Sequence, residues 1–159
     1  MRTLIRRLGK LYRFTWQERC ILMETFFFLG FSRFLVIMLP FKKVAPHLGV
    51  INGSQSKNLS EAELVVVQQI TRWVRFTARH TPFTSNCFNK ALAVHFMLRR
   101  RGLSSTLYLG VARDGEKMEA HAWLRSGDQI VTGGTEQERF TEVSHFTWEP
   151  VKHNSIRSS

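Results

Sequence analysis

One cysteine and one histidine are the residues of this sequence best suited to covalent chemistry. Cys87 opens a stretch with helical spacing of apolar residues, and His121 lies farther along in the segment AHAWLR. A thiolate can attack a carbonyl carbon, while an imidazole takes the thiol proton and returns it to a leaving group. The pair would therefore serve hydrolysis or acyl transfer. The alternatives are a small buried thiol and a half-buried strand histidine bonded to a backbone carbonyl.

The segment that begins at Cys87 carries signals for both ends of a helix. Ser85 or Asn86 can act as N-cap by accepting a hydrogen bond from a free backbone N–H. The arginines at 99–101 suit the last turn, and Gly102 suits the left-handed residue that follows a helix. Cys87 is thus predicted in the first turn, where the positive end of the helix dipole favours a thiolate.

An antiparallel sheet is predicted after this helix, with His121 on its middle strand. The predicted strands cover 106–112, 118–125 and 129–132, and 140–148 adds a last one. Asp-Gly and Gly-Asp pairs separate the first three, because these pairs tolerate the positive φ of hairpin turns. Pairing around the second turn sets His121 opposite residues 132–134. Packing of this sheet on the cysteine helix would bring imidazole to thiol.

The long apolar run at residues 20–39 raises the question of a membrane. Its length could span a bilayer, but Glu24 and Arg33 lie inside it, where charges are costly. We expect a helix that packs on the rest of the chain and presents part of its surface to a partner; peripheral contact with a membrane is a further option. A secretory signal is not predicted, because the run starts late and no small-residue cleavage site follows.

The sequence predicts two regions. Residues 1–50 form an N-terminal helical region with a surface for partner docking, and residues 51–159 form a catalytic domain. The polar tail of this domain, from about residue 152, is predicted to be disordered. Residues 47–59 are predicted to be a linker. A capping box formed by Ser60 and Glu63 predicts a helix from there to about residue 79. The predicted fold class is α+β, with helices first and a small antiparallel sheet after them.

Composition narrows the classes of partner and cofactor. The net charge of +11 suits nucleic acid, an anionic membrane or an acidic protein as partner, with a plain solvated basic surface as the alternative, and no nucleic-acid recognition pattern is evident. Zinc-ligand spacing and a phosphate-binding glycine loop are both missing from the sequence, so no cofactor is expected. Cys20 and Cys87 lie in different contexts without a disulfide framework, which indicates a reducing cytoplasm.

The run from Asn86 to Gly134 resembles the transglutaminase-like, papain-like cysteine peptidases of lasso-peptide biosynthesis. The narrower resemblance is to the stand-alone leader peptidase, the enzymatic half of the split B protein. The matching segments are CFNKALAVHFMLRRRGLSSTLYLGV, AHAWLR, IVTGG and, near the N-terminus, LPFKKVAPHLG. The resemblance implies a papain/transglutaminase-like core, removal of the leader from a ribosomal precursor peptide, a leader-recognition protein as partner and a lasso cyclase as the next enzyme. An acyltransferase with the same couple and a non-catalytic basic adaptor for a peptide or membrane are the alternatives.

The same resemblance implies a Cys–His–Asp triad, with Cys87 as nucleophile and His121 as general base and acid. Its aspartate belongs on the strand after the histidine strand, and Asp128 is the one Asp that follows His121. A regular hairpin would place Asp128 in the turn, about 20 Å from His121, so this assignment is provisional. A plain turn residue is the alternative for Asp128. Glu136, the hydroxyl of Thr132 and a backbone carbonyl are the other candidates for orienting the imidazole.

Overall fold

Helices and an antiparallel sheet make up the part of the chain that the structure, a computed structural model, describes: residues 15–54, 58–81, 86–115, 117–135 and 137–150. The helices are α1 (Trp16–Met38), α2 (Phe41–Val44), α3 (Glu61–Ala78) and α4 (Cys87–Arg100). The strands are β1 (Val50–Ile51), β2 (Ser105–Asp114), β3 (Lys117–Ser126), β4 (Gln129–Thr132) and β5 (Thr141–Trp148). The predicted α+β class is confirmed.

The sheet has the order β1-β5-β2-β3-β4, and all its pairings are antiparallel. The long β2–β3 hairpin sets His121 opposite Gly110 in the middle of the sheet. The β3–β4 register shifts between Leu124 and Arg125. This irregularity, a common device for redirecting a strand, precedes the segment after β4 that returns to His121.

Local sequence signals explain where the two central helices begin. Ser60 and Glu63 form the predicted capping box, with the Ser60 N–H donating to a Glu63 carboxylate oxygen at 2.8 Å. Asn86 caps α4, since its side-chain oxygen accepts from the Asn89 N–H at 2.8 Å. The other candidate cap, Ser85, lies outside the described residues. Gly102 follows α4 with a φ of +67°, as predicted for a left-handed terminal residue.

Helix α4 forms the centre of the core. It packs on β2, β3 and β4 on one side and on α1 and α3 on the other. Its fully buried apolar residues are Ala91, Leu92, Ala93, Val94, Met97 and Leu98. Truncation of a buried leucine costs roughly 2–5 kcal/mol, so this helix is fixed firmly in position. Rigid packing of α4 in turn fixes Cys87 at its first turn.

Helix α1 covers α4 with one side and leaves the other side exposed. Thr25, Leu29 and Ser32 are buried against the domain. A buried-side ion pair joins the carboxylate of Glu24 to the guanidinium of Arg101 at 2.6 Å. By its length and its mean hydropathy of 1.8, α1 could cross a membrane, although core helices and signal sequences share these properties. Glu24, one of the charged residues in the apolar run, therefore has its ion-pair partner within the domain.

The predicted linker at 47–59 is corrected in its first half. Residues Val50–Ile51 form β1, which pairs with Phe146 and Thr147 of β5. The N–H of Asn52 then donates to the His145 carbonyl at 2.8 Å. This pairing joins segments that are far apart in sequence, so the polar composition of the stretch gave no signal of it. Residues 55–57 lie outside the described part.

Candidate active site

Cys87 and His121 line the same cavity. Cys87 is the first residue of α4, His121 lies in the middle of β3, and both side chains are half-buried. The cavity measures about 590 Å³ and is completed by α3 and by the segment after β4. A smaller, apolar cavity of about 230 Å³ is also lined by both residues, together with Phe41 and Phe88. The structure thus brings together the two residues that the sequence singled out, while their catalytic roles stay predictions.

At the start of α4, two backbone donors beside the thiol have no acceptor among the described residues. Asn86 takes up the Asn89 N–H through its side chain and the Lys90 N–H through its carbonyl, at 2.8 and 3.2 Å. The N–H groups of Cys87 and Phe88 have no acceptor within the described residues. Unpaired donors of this kind at a helix N-terminus attract an anion. They can stabilise the negative oxygen that develops when a thiolate adds to a carbonyl.

A backbone carbonyl fixes the tautomer of His121. The ring Nε2 lies 2.9 Å from the carbonyl oxygen of Gly133. A carbonyl oxygen only accepts, so Nε2 carries the proton and Nδ1 keeps a lone pair that can accept a proton from a thiol. His121 is therefore bonded to a backbone carbonyl, as in the sequence-based alternative, and it also lines the cavity of Cys87. The two descriptions of His121 are compatible.

Gly133 can play this part only as glycine. Its φ is +74°, a conformation that side chains disfavour. An added Cβ would lie 2.6 Å from the Ala122 carbonyl oxygen and 2.9 Å from the Trp123 Cβ. The close approach of two backbones is what delivers the Gly133 carbonyl to the imidazole. His121 was predicted to lie opposite residues 132–134; its ring contacts Gly133 of that segment, whereas the strand pairing of β3 with β4 reaches only from Ser126 to Leu124.

Aromatic rings hold the imidazole in place. The Phe140 ring stacks on His121 with a centroid distance of 4.7 Å and an interplanar angle of 24°. Trp123 lies 6.1 Å away on the same strand. Stacking at such distances restricts rotation of the ring. The sequence predicted residue 140 only as the start of the last strand, because nothing local shows which side chain Phe140 meets.

The structure does not bring Asp128 to the site. Asp128 lies between β3 and β4, its side chain is 82% exposed, and its nearest cation is Arg125 at 4.0 Å. The rise along β3 separates it from His121 by roughly 20 Å. The provisional third triad position is therefore corrected: the Gly133 carbonyl holds the imidazole where a carboxylate was expected. Thr132 lines the cavity, but its hydroxyl has no partner in the described residues, and Glu136 lies outside them.

Metal-ligand chemistry finds no support in the described ranges, where no group of three or more His, Cys, Asp or Glu side chains could hold an ion. The described part of the site therefore consists of a thiol, an imidazole, backbone donors and three basic side chains. These basic residues, Arg75, Arg79 and Lys90, also line the cavity. Nothing in the sequence placed them at this site, because their position beside Cys87 depends on tertiary packing.

Comparison with known protein families gives one match: the family model described as transglutaminase-like superfamily matches residues 35–145. The matched region runs from the last turns of α1 into β5, and it includes both Cys87 and His121. No curated protein and no solved structure matches the chain significantly.

Proposed function

The chain belongs to the transglutaminase-like superfamily, which includes cysteine proteases and acyltransferases, and from that premise we propose that it is a leader peptidase of lasso-peptide biosynthesis. The observation that carries the proposal is the shared cavity of Cys87 and His121, with Nδ1 of His121 left as the proton acceptor. The resemblance of residues 86–134 to the enzymatic half of the split B protein supports the choice of substrate.

In the proposed reaction, His121 Nδ1 takes the proton of the Cys87 thiol, and the thiolate sulfur attacks the scissile carbonyl carbon. The carbonyl oxygen becomes negative and is met by the N–H groups of Cys87 and Phe88. Collapse of the adduct breaks the C–N bond, and the imidazolium gives its proton to the leaving amine. Water then attacks the thioester with His121 as base, which releases the leader with a free carboxylate and restores the thiol.

The proposal is tested by mass spectrometry of a lasso precursor peptide incubated with this chain and a leader-recognition protein. Hydrolysis predicts two products, a leader with a new carboxylate and a core with a new amine. The Cys87→Ala variant should produce neither, whereas Cys20→Ala, which removes the exposed thiol on α1, should cleave normally. A new amide bond instead of hydrolysis would identify the acyltransferase alternative and refute the peptidase.

The partner protein in this proposal would bind the exposed side of α1. Large apolar side chains recur there at spacings of three, four and seven and so share one face of the helix. They are Trp16, Met23, Phe26, Phe27, Phe34, Ile37 and Met38. Isolated apolar side chains on a surface are ordinary, but a contiguous row of this size is typical of a binding face. The resemblance to a split enzyme favours a protein as occupant.

Two substitutions on this face test the docking step. Phe27→Ser and Phe34→Ser remove rings that are 63% and 58% exposed, so the fold should be unaffected. We expect loss of co-purification with the leader-recognition protein and slower precursor cleavage. The peptide bond chemistry itself should persist at high precursor concentration. Binding of the chain to vesicles, with unchanged affinity for the partner protein, would assign the face to a membrane and contradict the proposed docking.

A further inference from the structure

The catalytic cavity has a basic wall, composed of Arg75 on α3, Arg79 directly after its last residue and Lys90 on α4. A neighbouring cavity of about 580 Å³ shares both arginines and adds Arg72. Residues 72, 75 and 79 are three and four apart, so they follow one another along a single helix face. Basic side chains therefore line both cavities, the one that contains Cys87 and the one beside it.

Among the described residues, the cations of the basic wall form no ion pair with an acidic side chain, whereas four other arginines do. Arg100 and Arg101 pair with Glu24, Arg125 with Asp128, and Arg139 with Glu119. None of the basic-wall residues forms an ion pair with a described residue, and no described acidic residue lines either cavity. Unpaired cations in a concave site focus a positive potential on whatever enters it.

We propose that the basic wall binds a substrate carboxylate close to the scissile bond, so that the enzyme selects acidic peptide segments. Guanidinium groups suit this task because they present parallel N–H donors to both carboxylate oxygens. This inference rests on the proposed function, which makes the substrate a peptide. The charge preference, however, is a property of the cavity and can be measured without any peptide.

Alkylation of Cys87 measures the charge preference directly. In both iodoacetate and iodoacetamide, the thiolate sulfur attacks the CH₂ carbon and displaces iodide, which leaves a carboxymethyl or a carbamoylmethyl group on sulfur, but only iodoacetate carries a carboxylate. The rate constant for iodoacetate divided by that for iodoacetamide, measured by peptide-mapping mass spectrometry, reports the local electrostatic potential. Cys20, which is exposed on α1, supplies an internal reference in the same molecule. At low ionic strength, we expect the ratio at Cys87 to exceed the ratio at Cys20 by about tenfold.

Matched variants assign the effect to the basic wall. The double substitution Arg75→Gln, Arg79→Gln should lower the ratio at Cys87 toward that at Cys20. Arg100→Gln removes one charge at the far end of α4, about 20 Å from Cys87, and should leave the ratio unchanged. Equal ratios at the two thiols, insensitivity to the double substitution, or failure of Cys87 to react with either reagent would each overturn the proposal.

Cleavage of paired precursor peptides then tests substrate choice. The peptides differ only by Glu or Gln at one position near the scissile bond, and each position is scanned in turn. We expect at least one position where Glu gives about tenfold higher kcat/KM, and where the double arginine substitution removes the difference. Cleavage without such a position contradicts the acidic preference. Absence of all cleavage, with the alkylation preference intact, refutes only the peptidase assignment.

Discussion

Replacement of Gly133 by alanine should damage both stability and catalysis, because this residue supplies the carbonyl that holds His121. The added methyl group meets the Ala122 carbonyl oxygen at 2.6 Å, the Trp123 Cβ at 2.9 Å and the Trp123 Cα at 3.0 Å. Two of these atoms belong to backbone and cannot rotate away. The segment after β4 must therefore shift, and the 2.9 Å bond from His121 to the Gly133 carbonyl shifts with it.

The stability cost has two parts that a matched variant can separate. A left-handed conformation costs a residue with a side chain about 1–2 kcal/mol, and overpacking costs about 1–3 kcal/mol more. Gly115 also has a positive φ, +62°, but an added Cβ there meets nothing within 4 Å. Gly115→Ala should therefore show only the conformational part. In urea unfolding, the free energy of unfolding should be highest for wild type, lower for Gly115→Ala and lowest for Gly133→Ala.

The catalytic cost follows from the loss of a fixed tautomer. A positioned general base contributes about 10²–10⁴-fold to a rate, and a misoriented imidazole loses part of this. We expect kcat/KM for precursor cleavage to fall about 10- to 100-fold in Gly133→Ala and to stay near wild type in Gly115→Ala. Equal stability losses in the two variants, together with wild-type cleavage by Gly133→Ala, would show that the carbonyl does not orient His121.

Three further predictions concern single side chains. Asp128→Asn should change kcat/KM less than twofold, because Asp128 is exposed and far from His121; a tenfold loss would restore it to the site. Phe140→Leu removes the ring stacked at 4.7 Å and should lower kcat/KM severalfold, without abolishing cleavage as Cys87→Ala does. His95 is fully buried, and its pKa is lowered to about 4. Burial is the main cause; a hydrogen bond to the His47 backbone raises the pKa, and the charge of Arg99 lowers it further. Since the unfolded chain then binds the proton more readily, stability should fall as the pH drops from about 6.5 to 4, by up to about 3 kcal/mol more in the wild type than in His95→Gln. Parallel unfolding curves of the two proteins across this range would contradict the buried neutral state of His95.

Local sequence signals were sufficient for the parts of the fold that depend on neighbouring residues. The capping box at Ser60, the Asn86 cap and the left-handed Gly102 all follow from hydrogen bonds within a few positions. The β2–β3 hairpin followed from its Asp-Gly turn. The position of the turn also predicted that His121 faces residues 132–134, and its ring does meet Gly133, but the register shift between Leu124 and Arg125 had no signal in the sequence.

Contacts between segments that are far apart in the chain could not be predicted from the sequence pattern. The pairing of β1 with β5 and the ion pair of Glu24 with Arg101 join residues whose proximity only tertiary packing decides. The basic wall has the same origin, since α3 must pack beside α4 before Arg75 and Arg79 can reach the cavity of Cys87. Asp128 was assigned from a resemblance and not from geometry. The strand geometry had already indicated its true place in the turn.

The most direct test of the central claim is a search for the covalent intermediate on Cys87. Rapidly acid-quenched mixtures of chain, leader-recognition protein and precursor are measured by intact-mass and peptide-mapping spectrometry. The proposed mechanism predicts a protein whose mass is raised by the leader, attached to Cys87 as a thioester, and no adduct in Cys87→Ala. Leader cleavage that persists in Cys87→Ala, or a leader adduct on any other residue, would contradict it.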